Sequence, residues 1–383
     1  MDALTLIAKI PLIGKKIAQK HALMAVDIGS FAVKIVQLEN LGKTWSLKKW
    51  AVLPYGERLG ATPTPAERHQ AAVETLKQFL LEAGGSARRV VTSVSGPSVL
   101  VRNIQLSKAS PQELRKKIRF EAAPFIPFPV DDVSMDFTIL EEELTGAPGK
   151  MEITLAAAKK ETINEPMSIL KEAGLIPVIV DVDSFVLETL YQEILKAETE
   201  ALAETEAIIH LNLGATYTNM CILWKGRSRL VRDIPIAGNA FTKALQREFQ
   251  ADFATAEEKK RKLGLVVTPE DKAALQSSGD KAALQASAAL LPRAHDLVTE
   301  VIRSIDFYLS RSPGQTIKKV LLSGGSANLK NIDHYLSREL KVPVEFANPF
   351  QMIDGSSDLL TSYNELMPYL AVGCGLGCRV EGL

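Results

Sequence analysis

The chain has 383 residues, 46% of them apolar, which is long enough for two or three domains that each bury a core. Its 45 Lys and Arg residues balance 45 Asp and Glu residues, so no global field draws in nucleic acid, and that class of partner is not expected. Disulfide miniproteins and disordered chains are excluded by the same composition.

The three cysteines, Cys221, Cys374 and Cys378, form no CxxC pair, which suits a reducing compartment. No apolar run reaches the roughly 18–20 residues of a membrane helix. Asp2, Lys9 and Pro11 spoil the pattern of a secretory leader. A soluble cytoplasmic protein without a transmembrane segment is expected.

Segment 1–21 sets Leu6, Ile10, Ile13 and Ile17 at helical spacing among Lys9, Lys15, Lys16 and Lys20, with Pro11 interrupting. Such a stripe either anchors at a lipid interface or packs on protein, and packing is the expectation. Residues 22–98 open with LMAVDIGSFAVKIVQLEN, which predicts two strands about a tight turn at Gly29 and Ser30. A strand near 48–54, a helix over 65–83 closed by Gly84-Gly85, and a buried strand at 90–94 follow.

Residues 99–174 read as a separate module. Ser110-Pro111-Gln112-Glu113 is a capping box with proline at the first helical position. Pro124, Pro127 and Pro129 end that helix, and strands at 135–140 and 152–158 come next. A helix over 162–173, a strand at 176–182 and a helix from Ser184 to about 203 complete this half.

From Ala207 the chain predicts a second run of strands, with Lys225-Gly226 as a hairpin turn. Residues 241–293 are helical and charged, with Glu257 to Lys262 read as a solvated face, and 300–309 form another helix. A strand at 319–323, a helix over 329–340, a strand at 344–346 and a helix over 364–372 finish the reading.

The strongest internal signal is a repeat. MAVDIGS at 24–30 matches IHLNLGA at 209–215, and each runs on into a second strand. Two such halves facing each other set two glycine turns across one cleft. That arrangement suits a phosphate chain, because glycine lets backbone N–H groups approach anionic oxygens. Ser30 adds a hydroxyl donor and Lys34 a positive charge, while Asp27 suits Mg²⁺ held through water. A third turn, Ser323-Gly324-Gly325-Ser326, offers bare backbone to a base or ribose.

Together these turns resemble the actin-like ATPase superfamily: α/β, with two duplicated lobes around a nucleotide cleft. LRKKIRFEAAPFIPFPVDDVSMDF, VDVDSF, RDIPIAGNAFTKALQREF and VLLSGGSANL bring the resemblance closer to the PilM family of type IV pilus assembly proteins. There the small inserted subdomain, here 99–174, is shared with FtsA. The resemblance makes 22–98 the first lobe, with 175–203 and 364–383, and 204–363 the second lobe, with a helical subdomain over about 241–310.

The resemblance implies ATP and Mg²⁺ as ligands and a place at the inner membrane. It implies a PilN-like membrane protein as partner, held by its cytoplasmic N-terminal peptide, with pilus motor ATPases as further candidates. Matched by motif, Asp27, Gly29, Ser30 and Lys34 fall on the first phosphate loop, and Gly214 and Ala215 on the second. Gly238, Asn239 and Lys243 fall on the loop around ribose and base, and Gly324, Gly325 and Ser326 on the adenosine turn. Phe125, Ile126 and Phe128 are the candidates for the partner groove.

The superfamily's second-loop aspartate is Asn212 here, and an amide cannot replace a carboxylate toward metal or water. At most a weak ATPase is expected, with Asp27 and Asp181 as the catalytic candidates. An FtsA-like polymerising tether and a small-molecule kinase are the competing readings. The five histidines show no ligand spacing, and Gly373, Gly375 and Gly377 do not follow the strand-loop-helix order of a dinucleotide site.

Overall fold

The computed structural model describes residues 23–379, except 43, 57–58, 60–62, 84–87, 145, 352 and 355–365. The amphipathic segment 1–21 and the Gly84-Gly85 helix stop therefore lie outside the described residues. Three sheets organise the chain. The first is built from β1 (Met24–Ile28), β2 (Ala32–Asn40), β3 (Trp45–Pro54), β4 (Arg89–Val94), β8 (Ile176–Val182) and β14 (Ile353–Asp354), in the order β14-β3-β2-β1-β4-β8. Its helices are α1 (Pro65–Ala83), α3 (Lys160–Glu172), α4 (Asp183–Glu193) and α11 (Ala371–Gly377), with the short α5 (Lys196–Glu200) after α4.

The second sheet repeats this scheme. It contains β9 (Glu206–Leu213), β10 (Thr218–Trp224), β11 (Arg227–Ile234), β12 (Thr316–Ser323) and β13 (Val344–Phe346), in the order β11-β10-β9-β12-β13. In each sheet a hairpin strand, β1 or β9, pairs antiparallel with the next strand and parallel with a later one. Such central strands are covered on both faces, so Met24–Val26 and Ala207–Leu213 are apolar almost without interruption. The helices here are α6 (Gly238–Phe249), α7 (Phe253–Leu263), α8 (Pro269–Ser278), α9 (Lys281–Arg311) and α10 (Ile332–Leu340).

The third sheet is the module inserted between β4 and α3. β5 (Val99–Ser107), β6 (Val133–Glu141) and β7 (Lys150–Lys159) pair in the order β5-β7-β6 and carry α2 (Pro111–Ala122). The capping box at Ser110 and Glu113 starts α2 as its residues require, and Pro124 turns the chain into a 3-10 turn.

Two expectations change. Residues 281–311 form one helix rather than two, and it runs through Pro292. A proline forfeits a helical hydrogen bond, yet Ala283, Ala286, Leu290, Ala294, Leu297, Val298 and Val301 keep one buried face across it, and that packing outweighs the loss. The final helical stretch, the 3-10 turn Met367–Leu370 and then Ala371–Gly377, runs past the expected end at 372, while 364–365 lie outside the described residues.

One core joins the two large sheets. Ala25 and Val36 from the first sheet, Leu187 and Tyr191 from α4, Leu376 from α11, and Ile208 and Leu223 from the second sheet pack into it with Cys221, Cys374 and Cys378. The lobes thus share apolar surface beneath the cleft. Among the described residues no helix is long and apolar enough to cross a membrane.

Candidate functional site

The turns of the two hairpins face each other across a cleft of about 1230 Å³. In the β1–β2 hairpin Asp27 and Lys34 are register partners, and Lys34 Nζ stands 3.0 Å from Asp27 Oδ2 with both side chains mostly buried. Gly29 N–H donates to the Ala32 carbonyl at 3.0 Å and closes the turn, while the Tyr55 hydroxyl donates to the Gly29 carbonyl at 2.9 Å. Ser30 is exposed on the cleft wall.

The β9–β10 turn is tied to the other two loops. Gly238 N–H donates to the Gly214 carbonyl at 3.1 Å, Asn239 N–H to the Ala215 carbonyl at 2.7 Å, and Ser326 Oγ to the Gly214 carbonyl at 2.8 Å. Gly324 has φ +87° and ψ 153°, a conformation open essentially to glycine alone. A methyl group there would run into the Leu213 backbone, so β9 and the third turn touch through bare main chain.

Asp27, Gly29, Ser30, Lys34, Asn212, Gly214, Ala215, Asn239, Gly324, Gly325 and Ser326 all line this cleft. Three of the sequence candidates do not. Gly238 is buried behind the wall, where it lets α6 approach Ser326. Lys243 is exposed one turn further along α6. Asp181 is buried in an ion pair behind the cleft, its Oδ2 2.6 Å from Arg379 Nε.

The expected solvated face of α7 splits in two. Glu258 and Lys262 do face solvent and Lys259 lies over the Phe249 ring, but Glu257, Lys260 and Arg261 line the cleft. Lys260 Nζ is 2.6 Å from Glu257 Oε2 and donates to Thr242 Oγ1 at 3.0 Å. Burial pulls the Lys260 ammonium below its ordinary range against the attraction of Glu257. Burial raises the Glu257 carboxyl, and Lys260 overrides it and holds the carboxyl low. The spacing i, i+3, i+4 was the signal for a shared face.

Asp183, the first residue of α4, makes no cap bond there and lines the cleft. Burial, then the nearby charge of Asp27, pushes its carboxyl up to about 6, while Ser93 Oγ donates to it at 2.6 Å.

Asn212 belongs to a chain of buried polar groups. Ser323 Oγ donates to Asn212 Oδ1 at 3.1 Å, Asn212 Nδ2 to Asn219 Oδ1 at 3.0 Å, and Asn219 Nδ2 to Asp233 Oδ1 at 2.7 Å. Because the Ser323 proton is spent on Asn212, His210 Nε2 must be the donor in its 2.6 Å bond to Ser323, and Nδ1 then accepts from Tyr191 at 2.7 Å. Every donor points toward the Asp233 carboxylate. A carboxylate at 212 would lack the amide donor that Asn219 needs, so the chain accounts for asparagine here.

A second cavity, of about 1180 Å³, lies between the inserted sheet and the second lobe, which touch where Asn103 Nδ2 donates to the Arg229 carbonyl at 3.4 Å and Arg229 pairs with Glu152. β5 and β11 are both edge strands and face one another across it. Phe125 lines this groove. Ile126, at 7% exposure, is core of the inserted module, and Phe128 packs on that core with Lys159 Nζ 5.0 Å above its ring. Of the three groove candidates only Phe125 is placed there.

Two lobes of one repeated sheet order, with their glycine turns closing on a shared cleft, define the actin-like ATPase fold. The model of the family described as type IV pilus assembly protein PilM matches residues 25–381, and the chain belongs to that family. Among solved structures it is similar to the PilM–PilN type IV pilus biogenesis complex, at 28% identity over 94% of this chain and 99% of that one, with a TM-score of 0.75. The ethanolamine utilization protein EutJ from Carboxydothermus hydrogenoformans shares the fold at 13% identity over 97% and 92% of the two chains, with a TM-score of 0.50.

Proposed function

We propose that the protein is a nucleotide-binding scaffold of the pilus assembly platform, lying at the cytoplasmic face of the inner membrane, that takes Mg·ATP in the cleft. The observation that carries this reading is the meeting of three glycine turns around the Asp27–Lys34 pair. Lys34 supplies positive charge to a phosphate chain, and the turns at Gly29 and Gly214 supply amides at close range. Asp27 is the group suited to hold Mg²⁺ through water. Glu257, Lys260, Asn239 and the turn at Gly324 are the groups suited to ribose and base.

Position 212 carries an amide rather than a carboxylate, so it offers no general base to an attacking water. Very slow hydrolysis is the consequence. Binding, not turnover, would be the signal.

The partner in this reading is a PilN-like membrane protein, after the solved complex that the chain resembles. The groove between β5 and β11 suits a short extended peptide, because two unpaired strand edges supply main-chain donors and acceptors while Leu100, Phe125 and Trp224 supply apolar contact.

A calorimetric titration with Mg·ATP tests the cleft, with Asp27→Ala as control. Micromolar binding that the control loses supports the reading. No binding by the wild-type chain makes the protein a static adaptor instead.

A further inference from the structure

The cleft and the groove are not independent. Ser95 and Asp183 form part of both walls. Beside them lies Gly96, in the link from β4 into the inserted sheet, at φ +98°. A residue in that conformation with no side chain has nothing of its own to fix it. Two groups of the second lobe hold it instead. Its N–H donates to Asp233 Oδ2 at 2.6 Å, and the Tyr217 ring lies where a methyl group on Gly96 would make contact at 3.6 Å.

Both groups lead back to the cleft. Tyr217 sits in the β9–β10 turn, whose residues Gly214 to Tyr217 line the cleft wall. Asp233 is reached from Asn212 and Asn219, cleft residues as well, through two consecutive hydrogen bonds. The Asp233 carboxylate has one oxygen committed to Asn219 and the other to Gly96, so a shift of Asn219 is felt at the link. Such a fully satisfied polar chain in a poorly solvated place moves as a unit.

We propose that Asn219, Asp233 and Tyr217 are positioning residues that carry the state of the cleft to the Gly96 link, and so set how β5 stands against β11 in the groove. Occupancy of the cleft by a triphosphate and occupancy of the groove by an extended peptide are then coupled, and by linkage each favours or opposes the other equally. This rests on the nucleotide reading above.

The test is amide hydrogen exchange across residues 95–105 of the full chain, with and without saturating Mg·AMP-PNP, run beside a calorimetric titration of the same sample. In the wild type the nucleotide changes exchange at Gly96 and along β5 by about tenfold, the size of one net hydrogen bond. Asn219→Ala cuts the chain one link before Asp233 and leaves the Asp233–Gly96 bond in place. It keeps the nucleotide-free protection of Gly96 and loses most of the nucleotide-dependent change. Asp233→Ala loses both.

Thermal melting checks each variant first, and the two variants break different bonds, so one misfolded variant leaves the other to decide. Nucleotide binding with no change at 95–105, or with the same change in Asn219→Ala as in the wild type, overturns the coupling while leaving the nucleotide reading intact. Absence of binding in the titration overturns both.

Discussion

Arg379 and Asp181 lie 2.6 Å apart with both side chains withdrawn from solvent, and Arg379 also donates to the Phe185 carbonyl at 3.1 Å. The pair fastens the stretch after α11 to the end of β8 and the start of α4. Removing one partner leaves the other charge buried and uncompensated. Asp181→Ala should therefore cost about 3–5 kcal/mol, read by urea unfolding. A variant that melts like the wild type and yet loses nucleotide-dependent chemistry would return Asp181 to the catalytic list.

Two glycines with positive φ differ both in backbone strain and in close approach. Gly279, at φ +73°, has open space around it, so Gly279→Ala should cost only the left-handed penalty of about 1–2 kcal/mol. Gly324, at φ +87° and ψ 153°, lies in a region open essentially to glycine alone and also faces the Leu213 backbone, which cannot yield. Gly324→Ala should cost clearly more in thermal unfolding and should also weaken nucleotide binding. Equal losses for the two variants would mean that the third turn relaxes and is not fixed against β9.

Burial holds His210 down to about 3, so the fold keeps it neutral. An unfolded chain takes up that proton at about pH 6.5. Stability contributed by this group is complete above that pH and is lost as the pH falls from about 6.5 toward 3. Asp136 and Asp183 work the other way. Burial pushes each up to about 6, so the fold binds their protons first and gains from acid between the ordinary carboxylate range and that value. In His210→Gln the stability curve should lose up to about 1.4 kcal/mol per pH unit of its acid slope, measured by urea unfolding from pH 4 to 7. Parallel curves would mean that His210 takes up its proton over the same pH range folded and unfolded.

Phe125 and Ile126 are neighbours with different duties. Ile126→Ala should cost about 2–5 kcal/mol, because it empties a site in the core of the inserted module. Phe125→Ala should cost less than Ile126→Ala, because Phe125 is only partly buried against that core, and should weaken capture of a partner peptide in the groove. A collapsed melt for Phe125→Ala would remove it from the groove.

The cleft turns were legible because glycine after an apolar strand has few explanations, and because MAVDIGS and IHLNLGA announce the same device twice. The ring of groups on α7 was not. AEEKKRKLG is charged all round, and periodicity alone does not tell a cleft-facing Lys260 from a solvated Lys262. Lys243 was expected on the cleft by motif position, yet α6 turns it outward and Lys260 stands in the wall instead. Strand β5 was missed as an element because VLVRNIQLS mixes two edges: one face packs on the inserted core while the other lines the groove. The length of α9 was misread at Pro292, where local propensity and tertiary burial disagree and burial prevails.

All three cysteines of the chain sit in the apolar seam shared by the two large sheets. Burial pushes the Cys221 thiol up to about 12 and raises Cys374 and Cys378 as well, so at neutral pH these thiols are both shielded and protonated. The protein thus comes with a chemical gauge already fitted. Alkylation rates at Cys221 on one side of the seam, and at Cys374 and Cys378 on the other, time the parting of the lobes without any label being introduced.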